Sequence, residues 1–275
     1  MHSRDMLHSA QDSQRRIWRP GWASAKPSPR GNRLLAGLPA QSLEALSPHL
    51  EFVPLCRGAV IHTSRSTGQS IYFPTAGIVS VLQLMRDGRS IEVAIIGREG
   101  LVGASALLGC QDTASHVVVQ AAGSAYRLSS NALRPTFTAC AGTQAILLRY
   151  THSLFLQTAQ TAVCSRHHSV TQQLIRRLLL GIDRTLGASL AVTHESMATK
   201  LGVRRESVTI AAQKLQALGL ISYRRGRVTV LDRAKLELLC CECYEAPSSA
   251  APISIRGRGV CRDNDSQLAR AVVSA

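Results

Sequence analysis

A stretch near the C-terminus carries side chains that could recognise a nucleic acid. They fall into two groups, Arg204, Arg205, Glu206, Ser207, Thr209 and Gln213 first, and Arg224, Arg225 and Arg227 after them. Arginine and amide side chains donate hydrogen bonds to base edges and phosphates, and glutamate accepts one from the amino group of cytosine. The chemistry that these residue types suggest is noncovalent binding to DNA.

The local sequence predicts how these side chains are positioned. Thr193 can cap a helix that ends at Gly202, where a tight turn is expected. A second helix is predicted from Arg204, because apolar residues recur at its period of 3.6: Val208, Ala211, Ala212, Leu215 and Leu218. Gly219 ends it, and residues 220–230 read as a hairpin with arginines at its tip. Two helices and a basic hairpin predict a winged helix-turn-helix with the second helix in the major groove, and we include Thr193 among the predicted DNA contacts.

Composition agrees with a polyanionic partner. The 275 residues carry a formal net charge of +15, although basic residues also crowd both termini, so charge alone discriminates little. No apolar run approaches the roughly 20 residues of a membrane span, and the N-terminus lacks the apolar core of a signal peptide. The sequence contains no recognisable catalytic triad or carboxylate pair, so we do not expect an enzyme. The eight cysteines show no disulfide spacing, and we expect a cytoplasmic protein with reduced thiols.

The rest of the chain divides by composition. Residues 1–32 are basic and rich in proline and serine, which predicts a disordered extension. Residues 33–142 begin with a short helical pattern and continue with brief apolar runs separated by turn residues such as Asp87-Gly88, which predicts a β-barrel or jelly-roll. Residues 187–245 hold the winged helix-turn-helix, and 246–275 are a predicted disordered tail. The fold class is therefore α+β.

Residues 143–186 form a long helical pattern without proline. A domain of this size cannot bury so long a helix, so we expect it to pair with the same helix of a second subunit. The residues predicted to form this homodimer seam are Leu148, Phe155, Ala159 and Ala162. A helix that packs only within its own chain is the alternative.

A barrel, a long helix and a winged helix-turn-helix follow one another in this chain, and in that order they resemble the Crp/Fnr family of bacterial transcription regulators over about residues 33–245. The segments that carry the resemblance are Ile71–Pro74, Gly77–Ser80, Glu92-Val93, Ile96–Gly100 with Gly103, and Arg204–Val208. The resemblance implies an effector domain, a dimer helix and base readout by Arg205 and Glu206. The implied partners are double-stranded DNA, a second copy of the chain and RNA polymerase. Ile210 stands where the family often has another arginine.

The effector domain departs from the members that bind cyclic nucleotides. Those hold the ribose with a glutamate after a glycine, and the phosphate with a later arginine beside serine or threonine. Here Ala104 follows Gly103, and the later segment, 112–116, has hydroxyls at Thr113 and Ser115 but no arginine. A cyclic phosphate needs a cation in its cradle, so we expect no cyclic nucleotide to bind.

Other cofactors have little support in the sequence. No cysteine precedes Cys56, so the iron–sulfur cluster of the oxygen-sensing members is not expected, while haem binding through His62, His116 or His152 stays open. Cys240, Cys241 and Cys243 stand at the end of a helical pattern, where neighbouring positions cannot all face one metal, so we expect structural thiols and no metal. The alternative function is a constitutive DNA-binding protein whose barrel is a dimer scaffold or interaction module without a ligand.

Overall fold

The computed structural model describes residues 26–62, 70–110, 115–185 and 187–244. The predicted disordered tail and most of the predicted N-terminal extension lie outside these ranges. Residues 26–32 were assigned to the extension, but Asn32 is fully buried. Its side chain caps the first helix and donates to the carbonyls of Pro74 and Gly100 at 2.9 and 2.8 Å. The folded part therefore begins before residue 33.

The N-terminal domain combines short helices with a β-sheet. Helices α1 (Arg33–Gly37) and α2 (Ala40–Leu46) precede β1 (Glu51–Leu55), β2 (Val60–His62), β3 (Ser70–Leu84), β4 (Ser90–Ile96) and β5 (Ser115–Ser129). Within the described residues these strands form one antiparallel sheet in the order β1-β5-β3-β4, with β2 paired to β5. β3 and β4 form the hairpin predicted at Asp87-Gly88.

Helices follow the sheet. Helix α3 (Ser130–Ala139) follows β5, and α4 (Ala141–His167) packs its first turns on the N-terminal core. There the buried Tyr150 hydroxyl donates to the carbonyl of Leu101 at 2.9 Å. The apolar residues of that core include Ile71, Phe73, Leu128 and Leu147. The Tyr150 hydrogen bond and these apolar contacts together fix the start of α4 on the sheet.

The single long helix predicted over 143–186 is wrong, because the chain contains two helices there. α4 ends at His167, His168 is extended, and α5 runs over Val170–Ile182. Ser169 caps α5 through a reciprocal capping box with Gln172, a local signal that the helical pattern had concealed. α5 packs with the C-terminal elements, so it belongs to that domain and not to a continuous dimer helix.

The C-terminal domain has the predicted winged helix-turn-helix arrangement. After β6 (Ser189–Ala191) come α6 (His194–Leu201), α7 (Arg205–Ala217), the hairpin β7 (Ile221–Arg224) and β8 (Arg227–Val230), and α8 (Arg233–Leu239). β8 pairs with both β6 and β7. The buried residues that join helices to hairpin include Leu174, Met197, Val208, Leu215 and Val228. The α+β class and the order of domains are thus confirmed.

The three neighbouring cysteines lie beyond the last helix. α8 ends at Leu239, and the chain continues through Cys240 and Cys241 into a 3-10 turn at Glu242–Tyr244. The expectation of regular helical geometry at these cysteines is therefore wrong. Cys241 and Cys243 are both buried, against Cys164 at the end of α4. Among the described helices, none is long and apolar enough to cross a membrane.

Candidate DNA-binding site

The turn between α6 and α7 sets the geometry of the candidate site. Thr193 accepts a hydrogen bond from the N–H of Ser196 at 3.1 Å and so caps α6 as predicted. Gly202 ends α6 in the left-handed region, at φ +68°, where a side chain would be strained. The N–H of Val203 then donates back to the carbonyl of Ala198 at 3.1 Å. These local bonds fix the angle at which α7 leaves the turn.

The N-terminal end of α7 presents its polar side chains to solvent. Arg204, Arg205 and Glu206 are exposed, as is Gln213 further along the helix. The Arg205 Nε is 3.9 Å from a Glu195 carboxylate oxygen, and both side chains are largely exposed, so this pair restrains Arg205 weakly. Ile210 is 60% exposed on the same helix. The surface of α7 is therefore open to a partner.

The hairpin tip carries the second basic group. Arg224 faces Arg227 across the β7–β8 ladder, and Arg225 and Gly226 form the turn with φ of +49° and +70°. Positive φ at both central residues is the geometry of the turns that best fit a two-residue hairpin. Arg224, Arg225 and Arg227 are all exposed. A hairpin so built projects three cations beside α7.

Two predicted contact residues also have structural roles. Thr193 is the helix cap described above, and the Thr209 hydroxyl contacts His194 Nδ1 at 3.0 Å while donating to the carbonyl of Arg205. Ser207 is half-buried. Ser207 and Thr209 are less accessible than the exposed arginines, so the arginines are the stronger candidates for direct contact.

His194 is a residue that the sequence reasoning missed. Its ring packs edge-on against Tyr223, with centroids 4.3 Å apart, and the Tyr223 hydroxyl donates to the carbonyl of Val192 at 2.6 Å. Burial, together with the charge of Arg205, lowers the pKa of His194. A neutral His194 therefore links α6, α7 and the hairpin. No local motif marks this role, because Tyr223 is distant in sequence.

The two domains meet at a buried ionic cluster that joins Ser80, Glu92 and Gln120 of the sheet to Arg177 of α5 and Lys200 of α6. Arg177 binds Glu92 through two nitrogens, one of them Nη2 at 3.0 Å, and Lys200 Nζ lies 3.7 Å from the same carboxylate. All five side chains are buried. The ionic cluster therefore connects the sheet directly to the first helix of the winged helix-turn-helix.

Burial and charge compete within this ionic cluster. Burial opposes ionisation of Glu92, yet the charges of Arg177 and Lys200 hold the pKa of its carboxyl below the usual range. Burial lowers the pKa of Lys200 to about 8 even though Glu92 favours its charged form. Ile78 and Ile95 add apolar contacts to the same junction. The domains are consequently held in one arrangement by both kinds of interaction.

The region expected to hold an effector is described only in part. Gly103 adopts φ +94°, and Ala104 is buried at the start of a 3-10 turn, Ala104–Leu108. Thr113 and Ala114, on which the predicted loss of the phosphate site also depends, lie outside the described residues. His62, one of the histidines considered for haem, is buried edge-on to Tyr72, and burial lowers the pKa of its ring.

The predicted dimer residues lie on one exposed stripe of α4. Leu148 is 41% and Phe155 69% exposed, and Ala159 and Ala162 are exposed as well. Their spacings of seven, four and three residues are those of a coiled-coil seam. Large apolar side chains such as Phe155 are costly to leave in water. The stripe therefore has the character of a surface that a partner helix would cover.

Comparison with known proteins identifies both domains. The family model described as a cyclic nucleotide-binding domain matches residues 52–140, and that of a Crp-like helix-turn-helix domain matches residues 172–239. Together they match more than half of the chain. The second match begins inside α5, which agrees with its packing on the C-terminal elements. A comparison with curated proteins found no match.

Solved structures share the whole architecture. A crp/fnr-family regulator from Eubacterium rectale has a TM-score of 0.60 at 20% identity, with 76% of this chain and 98% of that one covered. FixK2 from Bradyrhizobium japonicum has a TM-score of 0.59 at 15% identity, with 70% of this chain and 98% of that one covered. The c-di-GMP responsive regulator CLP from Xanthomonas campestris has a TM-score of 0.57 at 19% identity, with 70% of this chain and 100% of that one covered. With both family domains present in the order and fold of these regulators, the chain belongs to the Crp/Fnr family of transcriptional regulators.

Proposed function

We propose that the protein is a homodimeric, sequence-specific DNA-binding regulator whose effector domain does not respond to cyclic mononucleotides. The observation that carries the proposal is the exposed N-terminal end of α7, with Arg204, Arg205 and Glu206, beside the arginine-tipped hairpin. In this arrangement α7 enters the major groove, Arg205 donates to a guanine and Glu206 accepts from a cytosine amino group. Arg224, Arg225 and Arg227 contact the phosphate backbone.

A dimer would present two copies of α7 to a palindromic site, about one DNA turn apart. The exposed stripe of α4 supports this assembly because its heptad spacing suits pairing with a second copy of the helix. A regulator bound in this way would act on transcription through RNA polymerase. The proposed partners are therefore DNA, a second copy of the chain and RNA polymerase.

Arg205→Ala tests base readout. We expect it to weaken binding to the preferred duplex by about 1–3 kcal/mol, because a bidentate contact to guanine is lost, and to relax the preference at one position in each half-site. The preferred duplex is first selected by the wild-type protein from a random pool, and affinities are then measured at fixed salt on it and on random duplexes. Arg89→Ala, which removes an exposed arginine in the β3–β4 hairpin, is the matched control and should change neither affinity.

The two kinds of arginine should separate in this experiment. Arg225→Ala removes a phosphate contact, so it should weaken all duplexes alike and reduce the dependence of affinity on salt by about one counterion. If Arg205→Ala also weakens preferred and random duplexes equally, Arg205 contacts only phosphate and its assignment to base readout is wrong.

Cyclic AMP and cyclic GMP are expected not to bind at physiological concentrations. The ribose acceptor is replaced by Ala104, and no arginine stands in 112–116 to bind the phosphate. Each lost charge-assisted bond costs about 1.5–3 kcal/mol, so the two losses weaken binding by orders of magnitude. Calorimetry with each nucleotide at millimolar concentration checks the expectation. Micromolar binding that also tightens DNA affinity would contradict it.

A constitutive DNA-binding protein is the second candidate, and the buried ionic cluster favours it. Glu92, Arg177 and Lys200 join the N-terminal domain to α5 and α6 through buried contacts within the chain itself. The two candidates are distinguished by measuring DNA affinity with and without small molecules. A molecule that changes the affinity would show that the protein is regulated, because a ligand can shift an equilibrium only between two states that it binds differently.

A further inference from the structure

Four potential metal ligands converge where α4 meets the C-terminal segment. They are Cys164 and His168, one helical turn apart, and Cys241 and Cys243 beyond α8. Their ligand atoms all lie within 4.8 Å of one another. The Sγ atoms of Cys164 and Cys241 are 3.7 Å apart, and Cys243 Sγ is 3.4 Å from His168 Nδ1. The three sulfurs are buried and His168 is largely so.

These distances suit a single tetrahedral ion. Zinc binds cysteine sulfur at about 2.3 Å and histidine nitrogen at about 2.0–2.1 Å, so ligands around one zinc are roughly 3.5–3.8 Å apart. A disulfide needs its sulfurs at about 2.05 Å, much closer than Cys164 and Cys241 are here. Three thiolates and one imidazole form one of the structural zinc ligand sets, and soft sulfur ligands disfavour magnesium or calcium.

The chemistry of the ligand set also fits a bound cation. Zinc takes cysteine as the thiolate, so an ion that binds here displaces the protons of the three thiols, and these are released to solvent. Three buried thiols that pack together would then be ligands of one ion.

Arg176 of α5 supplies the complementary charge. Its side chain is buried and donates from Nε to the carbonyl of Cys243 at 3.1 Å and from both Nη atoms to the Thr161 hydroxyl. Among the described residues it has no carboxylate partner. Zinc with three thiolates and a neutral imidazole has a net charge of −1, which would compensate this buried guanidinium.

His168 is oriented as a ligand. Its Nε2 lies 3.3 Å from a carboxylate oxygen of Glu242, which leaves Nδ1 directed at the cysteines. A carboxylate behind a ligating histidine fixes its tautomer and raises its basicity. The backbone carbonyl of His168 also accepts from the Gln173 side chain at 2.8 Å, which holds the residue between α4 and α5.

We propose that Cys164, His168, Cys241 and Cys243 bind one Zn²⁺ ion that fastens the end of the winged helix-turn-helix domain to the end of α4. The ion joins residues that are 77 positions apart in the sequence, Cys164 and Cys241, at the break between α4 and α5. It therefore fixes the angle between the proposed dimer helix and the DNA-binding domain. The site stands independently of DNA binding, because its ligands and its test involve the protein alone.

The first experiment measures metal content and coordination. Full-length protein reconstituted with ZnCl₂ and desalted should hold about one zinc per chain, and CoCl₂ should give the intense visible absorption of tetrahedral cobalt–thiolate. Cys241→Ser should abolish both signals. Cys240→Ser is the matched control and should keep both, because Cys240 is the adjacent cysteine yet lies outside the four-ligand set. Loss of zinc in Cys240→Ser as well would contradict the assignment.

The second experiment needs only folded wild-type protein. Stripping zinc with a chelator should lower the thermal midpoint and expose three additional thiols to a thiol reagent, and ZnCl₂ should reverse both changes. Glu242→Gln should weaken zinc binding about 10–100-fold without preventing it. Wild-type protein that binds no zinc or cobalt when reduced, or that loses two thiols to a Cys164–Cys241 disulfide under the same conditions, would overturn the proposal.

Discussion

Glu92→Ala is expected to lower the free energy of unfolding by about 3–5 kcal/mol, because it leaves two buried cations without their carboxylate. Arg177 and Lys200 are both buried, and Glu92 is the acidic group that they share. Chemical denaturation followed by circular dichroism measures the loss. Acid should act in the same direction: the lowered pKa of Glu92 means that its contribution is present above its ordinary value of 4.5 and is lost as the pH falls below it.

The control for this experiment is Glu51→Ala. Glu51 also pairs with an arginine, Arg127, at 2.6 Å, but both side chains are exposed, so its removal should cost at most about 1 kcal/mol. Replacing Glu92, Arg177 and Lys200 together with methionine should restore most of the stability lost in Glu92→Ala, since no unpaired charge then remains. A loss below about 1 kcal/mol in Glu92→Ala would mean that water reaches the ionic cluster.

Phe155→Glu is expected to convert the proposed dimer into monomers and to reduce affinity for a palindromic site by about 10²–10⁴-fold. A carboxylate in the α4 stripe would be desolvated without a partner, and a monomer loses the gain from binding two linked half-sites. Sedimentation and DNA titration measure the two effects. Because Phe155 is 69% exposed in the single chain, its replacement should leave the monomer folded.

Ser153→Glu provides the matched control for assembly. It places the same charge on α4 at an exposed position on the opposite side of the helix from Phe155, and it should leave both mass and affinity unchanged. A wild-type protein that sediments as a monomer at micromolar concentration would contradict the proposed seam, and the apolar stripe would then need another partner.

The sequence by itself determined the local architecture of the DNA-binding domain. The Thr193 cap, the turn at Gly202, the period of α7 and the Arg225-Gly226 hairpin tip all follow from residues that interact within a few positions of one another. The β3–β4 hairpin was equally predictable from Asp87-Gly88. Local capping also governs the break at Ser169, but there the strong apolar pattern on both sides concealed it.

Only the tertiary structure decided what the buried polar residues do. Glu92 meets Arg177 across 85 positions of the chain, and Cys164 meets Cys241 across 77. Hydrophobic periodicity shows which face of a helix is buried but not which distant element covers it. The pairing of Glu92 with Arg177 and Lys200, and the convergence of His168 with three cysteines, depend on how β4, α4, α5 and α6 pack against one another. That packing is set by contacts that no local spacing encodes.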